Sequence, residues 1–482
     1  AVLQARGHVR GSGRRGGGCL SAGVRTVRMP RQRAGHERRR FHAIMEEIVS
    51  GFALAKPEQC LTIYLQNRMK KTLLAIFATI AVIAGISSNA AYAQNNFLKV
   101  KGKDIVKPDG SKFFIKGTNL GNWLNPEGYM FGFTNTNSAS MIDRMFKELV
   151  GEEYTASFWK KYKDNYITRE DIRFIKSTGA NTIRLPLHYR LFTDEDYMGL
   201  TSEQDGFKRI DDVLGWCNEF GLYLILDMHC APGGQGGGNV DDSFGYPWLF
   251  EDSECQDELE KIWVSIAERY ADNPLVLGYE LLNEPIEHRP ATDSWDVLYY
   301  PKLEPLYKRL TAAIRAVDKN HIIILGGARG NIDFTMFTDW KFDSNLMYTC
   351  HCYFKEAPEK SVKYLVEFRD RTGIPMYVGE TGHFTMEQQL AMSKYFIANN
   401  MGYTYWPYKK MKTGGSFVNF TPAAGWDSVV AFSEADRSSY QAIRRARPDQ
   451  GVAKNAMQSF LEQCKFSNCK VDQNYINATL MK

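Results

Sequence analysis

The sequence predicts an α/β fold, a single (β/α)8 TIM barrel over residues 97–482, from three observations. Eight short apolar runs rich in β-branched and aromatic residues recur along the chain. Capped helical patterns lie between them, as parallel strands require. Polar residues gather at the C-terminal ends of the runs, the rim on which such a barrel carries its functional groups. An open doubly wound sheet is the alternative, but it should show a glycine fingerprint after its first strand, and none follows.

In order, the runs are FFIKGTNLG (113–121), NTIRLPL (181–187), LYLILDMH (222–229), LGYELLNEP (277–285), HIIILGG (321–327), LMYTCHCY (346–353), IPMYVGETG (374–382) and GYTYWPYK (402–409). Thr168, with Asp171 three residues on, starts one helix, and Gly179 ends it. Residues 209–220 form another, stopped by Gly221. Helices over 254–270, 303–317 and 359–371 follow, the last stopped by Gly373. The run ends carry Asn119 and Asn122, Arg184 and His188, His229, Asn283 and Glu284, Arg329, His351 and Tyr353, Glu380 and His383, and Trp406. One such residue could be a cap; polar ends on nearly every run point to a site.

The formal net charge of +5 invites a nucleic-acid reading until the charge is located. Residues 1–68 hold 13 Lys+Arg against 4 Asp+Glu, whereas residues 94–482 carry 45 basic and 51 acidic residues. A mildly acidic body offers no footprint for phosphate backbones. Residues 69–93 read as a secretory signal peptide: Lys70 and Lys71, an apolar stretch over 73–86, then Ala91-Tyr92-Ala93. The stretch is too short to span a membrane, so a soluble product, secreted or periplasmic, is expected. Residues 1–68 are read as a non-native or disordered upstream segment, with a basic nucleic-acid arm as the alternative.

Seven cysteines follow the signal: Cys217, Cys230, Cys255, Cys350, Cys352, Cys464 and Cys469. Export makes a Cys464–Cys469 disulfide plausible. Cys350-His351-Cys352 with His229-Cys230 could suggest zinc, but on a strand Cys350 and Cys352 share one face and His351 takes the other. No metal and no cofactor are expected.

Glu284 ends the fourth run and Glu380 the seventh, so the barrel sets them across its mouth. Two carboxylates flanking a pocket suit glycosidic cleavage: one protonates the leaving oxygen while the other attacks the anomeric carbon, and a separation of roughly 5–5.5 Å gives retention. Asn283 can bond the sugar 2-OH, Arg184 and Tyr353 can hold Glu380 ionised, and His229 and His351 can orient substrate or carboxylates. An ion-pair network without catalysis is the competing reading. The loop APGGQGGGNVDDSFGYPWLF (231–250) lacks the Gly-Lys-Ser/Thr of a phosphate loop. Its Tyr246 and Trp248, with Trp123, His188, Tyr189, Phe192 and Trp406, are candidates to line a sugar groove, core packing being the alternative for each aromatic residue. Asp241 and Asp242 read as solvated acids rather than calcium ligands.

The motifs NTIRLP, LILDMHCAPG, LLNEP, HCY, MYVGE and TYWPYK, in this order, resemble the signature of glycoside hydrolase family 5, the cellulase-type family, from about Gly117 to Tyr408. The resemblance implies Glu284 as acid/base, Glu380 as nucleophile, and Arg184, His229, Asn283, His351, Tyr353 and Trp406 in support. It also implies hydrolysis of a β-linked polysaccharide or oligosaccharide without cofactor. NLGNWLNPEGY (119–129) further resembles the opening of the exo-glucanase-like branch. The expectation is a secreted retaining endo-β-1,4-glucanase, monomeric, with an exo-β-glucanase, β-mannanase or xylanase as alternatives. A carbohydrate-binding protein on an inactive barrel is the competing class, and a phosphate-handling barrel enzyme stands third.

Overall fold

The computed structural model describes residues 96–481 except 200, 201, 203, 239, 288–293 and 413. The expected upstream segment and signal peptide lie outside the described residues. Among the described residues, no helix is long and apolar enough to cross a membrane.

A three-stranded antiparallel sheet comes first, formed by β1 (Lys99–Lys101), β2 (Asp104–Val106) and β3 (Lys112–Phe113). Eight parallel strands then close a barrel: β4 (Lys116–Asn119), β5 (Thr182–His188), β6 (Tyr223–Cys230), β7 (Val276–Glu280), β8 (Ile322–Gly326), β9 (Leu346–Cys352), β10 (Met376–Thr381) and β11 (Tyr403–Tyr405). Each predicted run supplies one strand, and β11 pairs with β4 to complete the circle. The helices also fall where their caps place them. Thr168 and Asp171 form a reciprocal capping box on Arg169–Ser177, and Gly373, at φ 65°, ends Lys363–Thr372.

Two apolar layers result from strand alternation. Ile115, Ile225, Leu277, Ile322, Ile324, Met347 and Tyr377 fill the barrel, and Leu98, Ile105 and Phe113 of the small sheet plug its lower end. The opposite strand faces, Tyr348, Cys350 and Cys352 among them, pack outward against the helices. Pleat geometry therefore turns His351 inward, away from both cysteines, as predicted.

Beyond the barrel, β12 (Lys409–Met411), β13 (Val418–Phe420) and β14 (Lys470–Val471) form a second small sheet beside helices Trp426–Glu434, Gln450–Gln463 and Gln473–Leu480. Phe131, Phe146, Trp159, Tyr162, Trp426 and Phe460 make an aromatic core there. Lys409 is buried; its Nζ lies 2.6 Å from Asp171 and donates to the Cys464 carbonyl at 3.0 Å. The expected Cys464–Cys469 disulfide is not formed: both thiols are free, and each turns to a nearby backbone carbonyl, Leu461 for Cys464 and Lys465 for Cys469.

Gly117 sits where β4 meets β5, paired with Thr182, and a Cβ there would overlap the Thr182 carbonyl oxygen. Backbone cannot step aside as a flexible side chain can. Gly117→Ala is expected to destabilise the protein by at least the 1–3 kcal/mol (~) typical of overpacking, read as a lower Tm in a thermal melt.

Candidate active site

The site is built on the inward faces of β5, β6, β7, β9 and β10. Arg184, fully buried on β5, is its centre. Its Nη1 donates to Glu380 Oε1 at 2.6 Å and to Asn119 Oδ1 at 3.1 Å. Nη2 donates to Glu280 Oε1 at 2.7 Å and Asn283 Oδ1 at 2.8 Å, and lies 3.0 Å from Asp227 Oδ2. One guanidinium thus ties β5 to four other strands, β4, β6, β7 and β10. Its rigid fork of five donors suits this use, which an ammonium could not reproduce.

Glu380 is 5% exposed and stands where the β9–β10 register shifts, after Val378. Tyr353 donates its hydroxyl to Oε2 at 2.8 Å. Burial alone would raise the Glu380 carboxyl, but the charges of His351, Arg184 and His229 and the Tyr353 hydrogen bond outweigh it and hold the group down at about 2. Glu284 is more open, with 18% of its side chain exposed, and its Oε1 lies 2.7 Å from His351 Nδ1. A carboxylate oxygen of Glu284, one of Glu380 and a His351 nitrogen all fall within 4.8 Å of one another. Among the described residues this is also the group spaced to share a cation, but the His351 nitrogen is already engaged with Glu284, so we assign the trio to proton chemistry.

The turn after β7 is strained and clamped. Glu284 and Ile286 have φ of 41° and 52°, a region that side chains, β-branched ones most of all, rarely adopt. Buried Gln235 holds them: its Nε2 donates to the Asn283 and His229 carbonyls, and its own carbonyl accepts from the Ile286 N–H at 2.8 Å. Arg329 N–H in turn bonds the Ile286 carbonyl. The loops after β6, β7 and β8 are therefore one hydrogen-bonded unit around Glu284.

His229 lies on Asp227, with Nδ1 2.8 Å from its Oδ2. Burial would lower the imidazole, but Asp227, then Glu127 and Glu380, bring it up to about 10. Trp406 stacks on this ring at 5.4 Å with an interplanar angle of 5°, and its indole donates to Tyr129 Oη at 2.7 Å. Gly121 leaves room for that indole, since a Cβ there would stand 2.6 Å from it. His351 Nε2 meets Asn331 Nδ2 at 3.1 Å.

The structure thus brings Arg184, His229, Asn283, Glu284, His351, Tyr353, Glu380 and Trp406 together. It separates others. Trp123 is fully buried, its indole donating to the Lys163 carbonyl at 2.9 Å, so it is a core residue and lines no groove. His188 is also buried, with Nε2 3.3 Å from Asp242, Nδ1 accepting from the Arg190 N–H, and Tyr197 stacked on its ring; both nitrogens serve the loop rather than a ligand. Phe192 is packed edge to face against Phe207. Asp241 is not solvated: it is 5% exposed and accepts from the N–H groups of Gly236, Gly237 and Ser243, holding the glycine loop in place. Asp242 pairs with Arg190 at 3.0 Å. Tyr246 and Trp248 are exposed, in edge contact with each other.

Sequence reasoning missed Asp227, Glu280 and Glu127. The first two were visible as charges inside otherwise apolar runs, which only a buried partner makes tolerable. Glu280 accepts from the Tyr377 hydroxyl as well as Arg184. Glu127, buried in the loop after β4, has Oε1 3.7 Å from His229 Nε2, an ion-pair distance too long for a hydrogen bond, and burial raises its carboxyl above the ordinary range.

The cellulase model of glycosyl hydrolase family 5 matches residues 139–412. The chain is 33% identical over 308 residues to a β-xylosidase of Phanerodontia chrysosporium, an alignment covering 59% of this chain and 61% of that protein. It is 29% identical over 310 residues to a probable glucan endo-1,6-β-glucosidase B of Aspergillus flavus, covering 61% of this chain and 76% of that one. To endoglucanase C of Acetivibrio thermocellus it is 34% identical over 174 residues, 36% of this chain and 46% of the relative. Among solved structures, the rutinosidase from Aspergillus niger shares the fold, with a TM-score of 0.50 and 18% identity over 63% of this chain and 92% of that one. The chain spans about three fifths of the length of the β-xylosidase it matches; with its closed parallel barrel and a family match over more than half its own length, it belongs to glycoside hydrolase family 5.

Proposed function

We propose that the protein is a secreted retaining β-glycosidase, specifically an endo-β-1,4-glucanase. The approach of Glu284 and Glu380 to within 4.8 Å carries the mechanism, because that gap leaves no room for an attacking water between them. Glu380, kept ionised by Arg184 and Tyr353, attacks the anomeric carbon. Glu284 gives its proton to the leaving oxygen, then takes one from the water that releases the sugar. The hydrogen bond at 2.7 Å between His351 Nδ1 and Glu284 Oε1 leaves the second Glu284 oxygen for the proton in flight. Asn283, fixed by Arg184 through its carbonyl oxygen, has its amide nitrogen 3.4 Å from His229 Nε2, and this amide is our candidate donor to the sugar 2-OH. Trp406, 3% exposed and stacked on His229, offers a sugar at most its opposite face, and the exposed Tyr246 and Trp248 offer a platform. Secretion rests on the signal-like residues 69–93.

A second reading, removal of single sugars from chain ends, is favoured by the 33% identity over 308 residues to a β-xylosidase and by buried Glu127, whose Oε1 makes no hydrogen bond within the protein and can take a terminal hydroxyl. Digestion of cellulose, mixed-linkage glucan, mannan and xylan, with product-length analysis and NMR of the first-formed anomer, decides between them. We expect mixed oligosaccharides of retained configuration from cellulose or mixed-linkage glucan. Monosaccharide alone would establish the second reading. No reducing sugar from any substrate, nor from aryl glycosides, would leave a binding protein on a barrel scaffold.

A further inference from the structure

A third carboxylate stands beside the proposed acid/base. Glu287, three residues past Glu284, extends into space left by three glycines of the neighbouring loops. A Cβ on Gly238 would lie 2.8 Å from Glu287 Oε2, and one on Gly236 3.5 Å from Glu287 Cβ. A Cβ on Gly330 would be 3.6 Å from Glu287 Cγ and 3.8 Å from Glu284 Cδ, so both side chains flank the same glycine. Glu287 opens to solvent on one side while the glycine loops cover the other, and among the described residues no donor pairs with its carboxyl.

The mouth has two halves. Glu380, Trp406 and Glu127 belong to β10, β11 and the loop after β4, which are neighbours in the barrel. The sugar attacked by Glu380 and stacked on Trp406 occupies that half. The leaving group departs on the side of the acid/base, over β6, β7 and β8, and Glu287 with its three glycines lies there. We propose that Glu287 determines specificity for the leaving group by hydrogen-bonding a hydroxyl of the departing sugar. This rests on the glycosidase reading above.

The electrostatics agree. Burial between the loops, then the charges of Glu284, Asp241, Glu127 and Glu380, push the Glu287 carboxyl up to about 8; Arg329 beside Gly330 is the exposed cation on the β8 loop. A raised carboxyl beside Glu284 takes up a proton more readily than an ordinary glutamate, and in that form it both donates and accepts without adding a charge next to Glu284.

The test compares two substrates with the same reacting sugar: its 4-nitrophenyl β-glycoside, whose aglycone has no hydroxyl, and its β-linked disaccharide. Glu287→Ala should lower kcat/KM on the disaccharide about tenfold, the scale of one hydrogen bond, and change the aryl glycoside less than about threefold. Glu287→Gln, a neutral donor and acceptor, should restore most of the disaccharide activity. Circular dichroism checks that both variants fold. Equal losses on the two substrates or no loss on either would overturn the assignment, and so would a disaccharide loss accompanied by a shifted basic limb of the pH–rate profile, because a weakened proton donor at Glu284 also spares the aryl glycoside. A wild type inactive on both would overturn the glycosidase reading and this assignment with it; an active wild type with an indifferent alanine variant would overturn this assignment alone.

Discussion

Glu380→Ala is expected to abolish turnover on every substrate, by at least about 10⁴-fold, because no covalent glycosyl-enzyme can form and only binding and polarisation remain. Binding should change little, since Arg184 stays paired with Glu280 and Asp227 and its fork keeps its orientation. The vacated space lets a small anion reach the anomeric carbon. Azide added to this variant should yield a glycosyl azide of inverted configuration, identified by NMR. An inverted sugar product from the unmodified enzyme would remove Glu380 from its role, as it would place a water between the carboxylates. The pH dependence follows from the same contacts. Glu380 lies near 2 when folded against an ordinary 4.5, so its contribution to stability is present above about 4.5 and is lost as pH falls toward 2.

Glu284→Ala should separate the two chemical steps. A 4-nitrophenyl leaving group needs little protonation, so the first step survives while the second loses its base. The expected record is a burst of nitrophenol followed by slow turnover. Azide, which needs no base, should accelerate the slow phase and give a glycosyl azide of retained configuration. A substrate whose leaving alcohol requires the proton should lose at least roughly 10²–10⁴-fold. Equal losses on both substrates without an azide effect would show that Glu284 serves structure, through its contact with His351, instead of donating a proton.

Two features of the site show why local pattern reached it only in part. Glu284 and Glu380 were legible because a carboxylate ending an apolar run is anomalous within a few residues of chain, and the barrel's connectivity then puts such ends on one rim. The inward charges Asp227 and Glu280 stood in the same runs, but their meaning depends on Arg184, whose distances of 3.0 Å and 2.7 Å arise only when β5, β6 and β7 pair. Asn331 and Glu287 carry no local signature at all. They become neighbours of His351 and Glu284 because the loops after β7 and β8 are bonded together through the carbonyl of Ile286.

The sequence by itself determined the eight strands, the helix caps, the inward turn of His351 between two outward cysteines, and the residue types gathered at the rim. Each depends on period, spacing or capping, which act over a handful of residues. Only the tertiary structure decided which aromatic and polar residues face a ligand. Trp123 and Trp406 are both tryptophans just past barrel strands, yet the first donates to the Lys163 carbonyl inside the core and the second stacks on His229 in the mouth. His188 and His229 both stand at the C-terminal ends of apolar strands, yet one is enclosed by Tyr197 and Asp242 while the other meets Asp227 beneath the pocket. Burial is set by elements far away in the chain that arrive to cover a side chain. A residue's own neighbourhood in sequence carries its chemistry but not its partners.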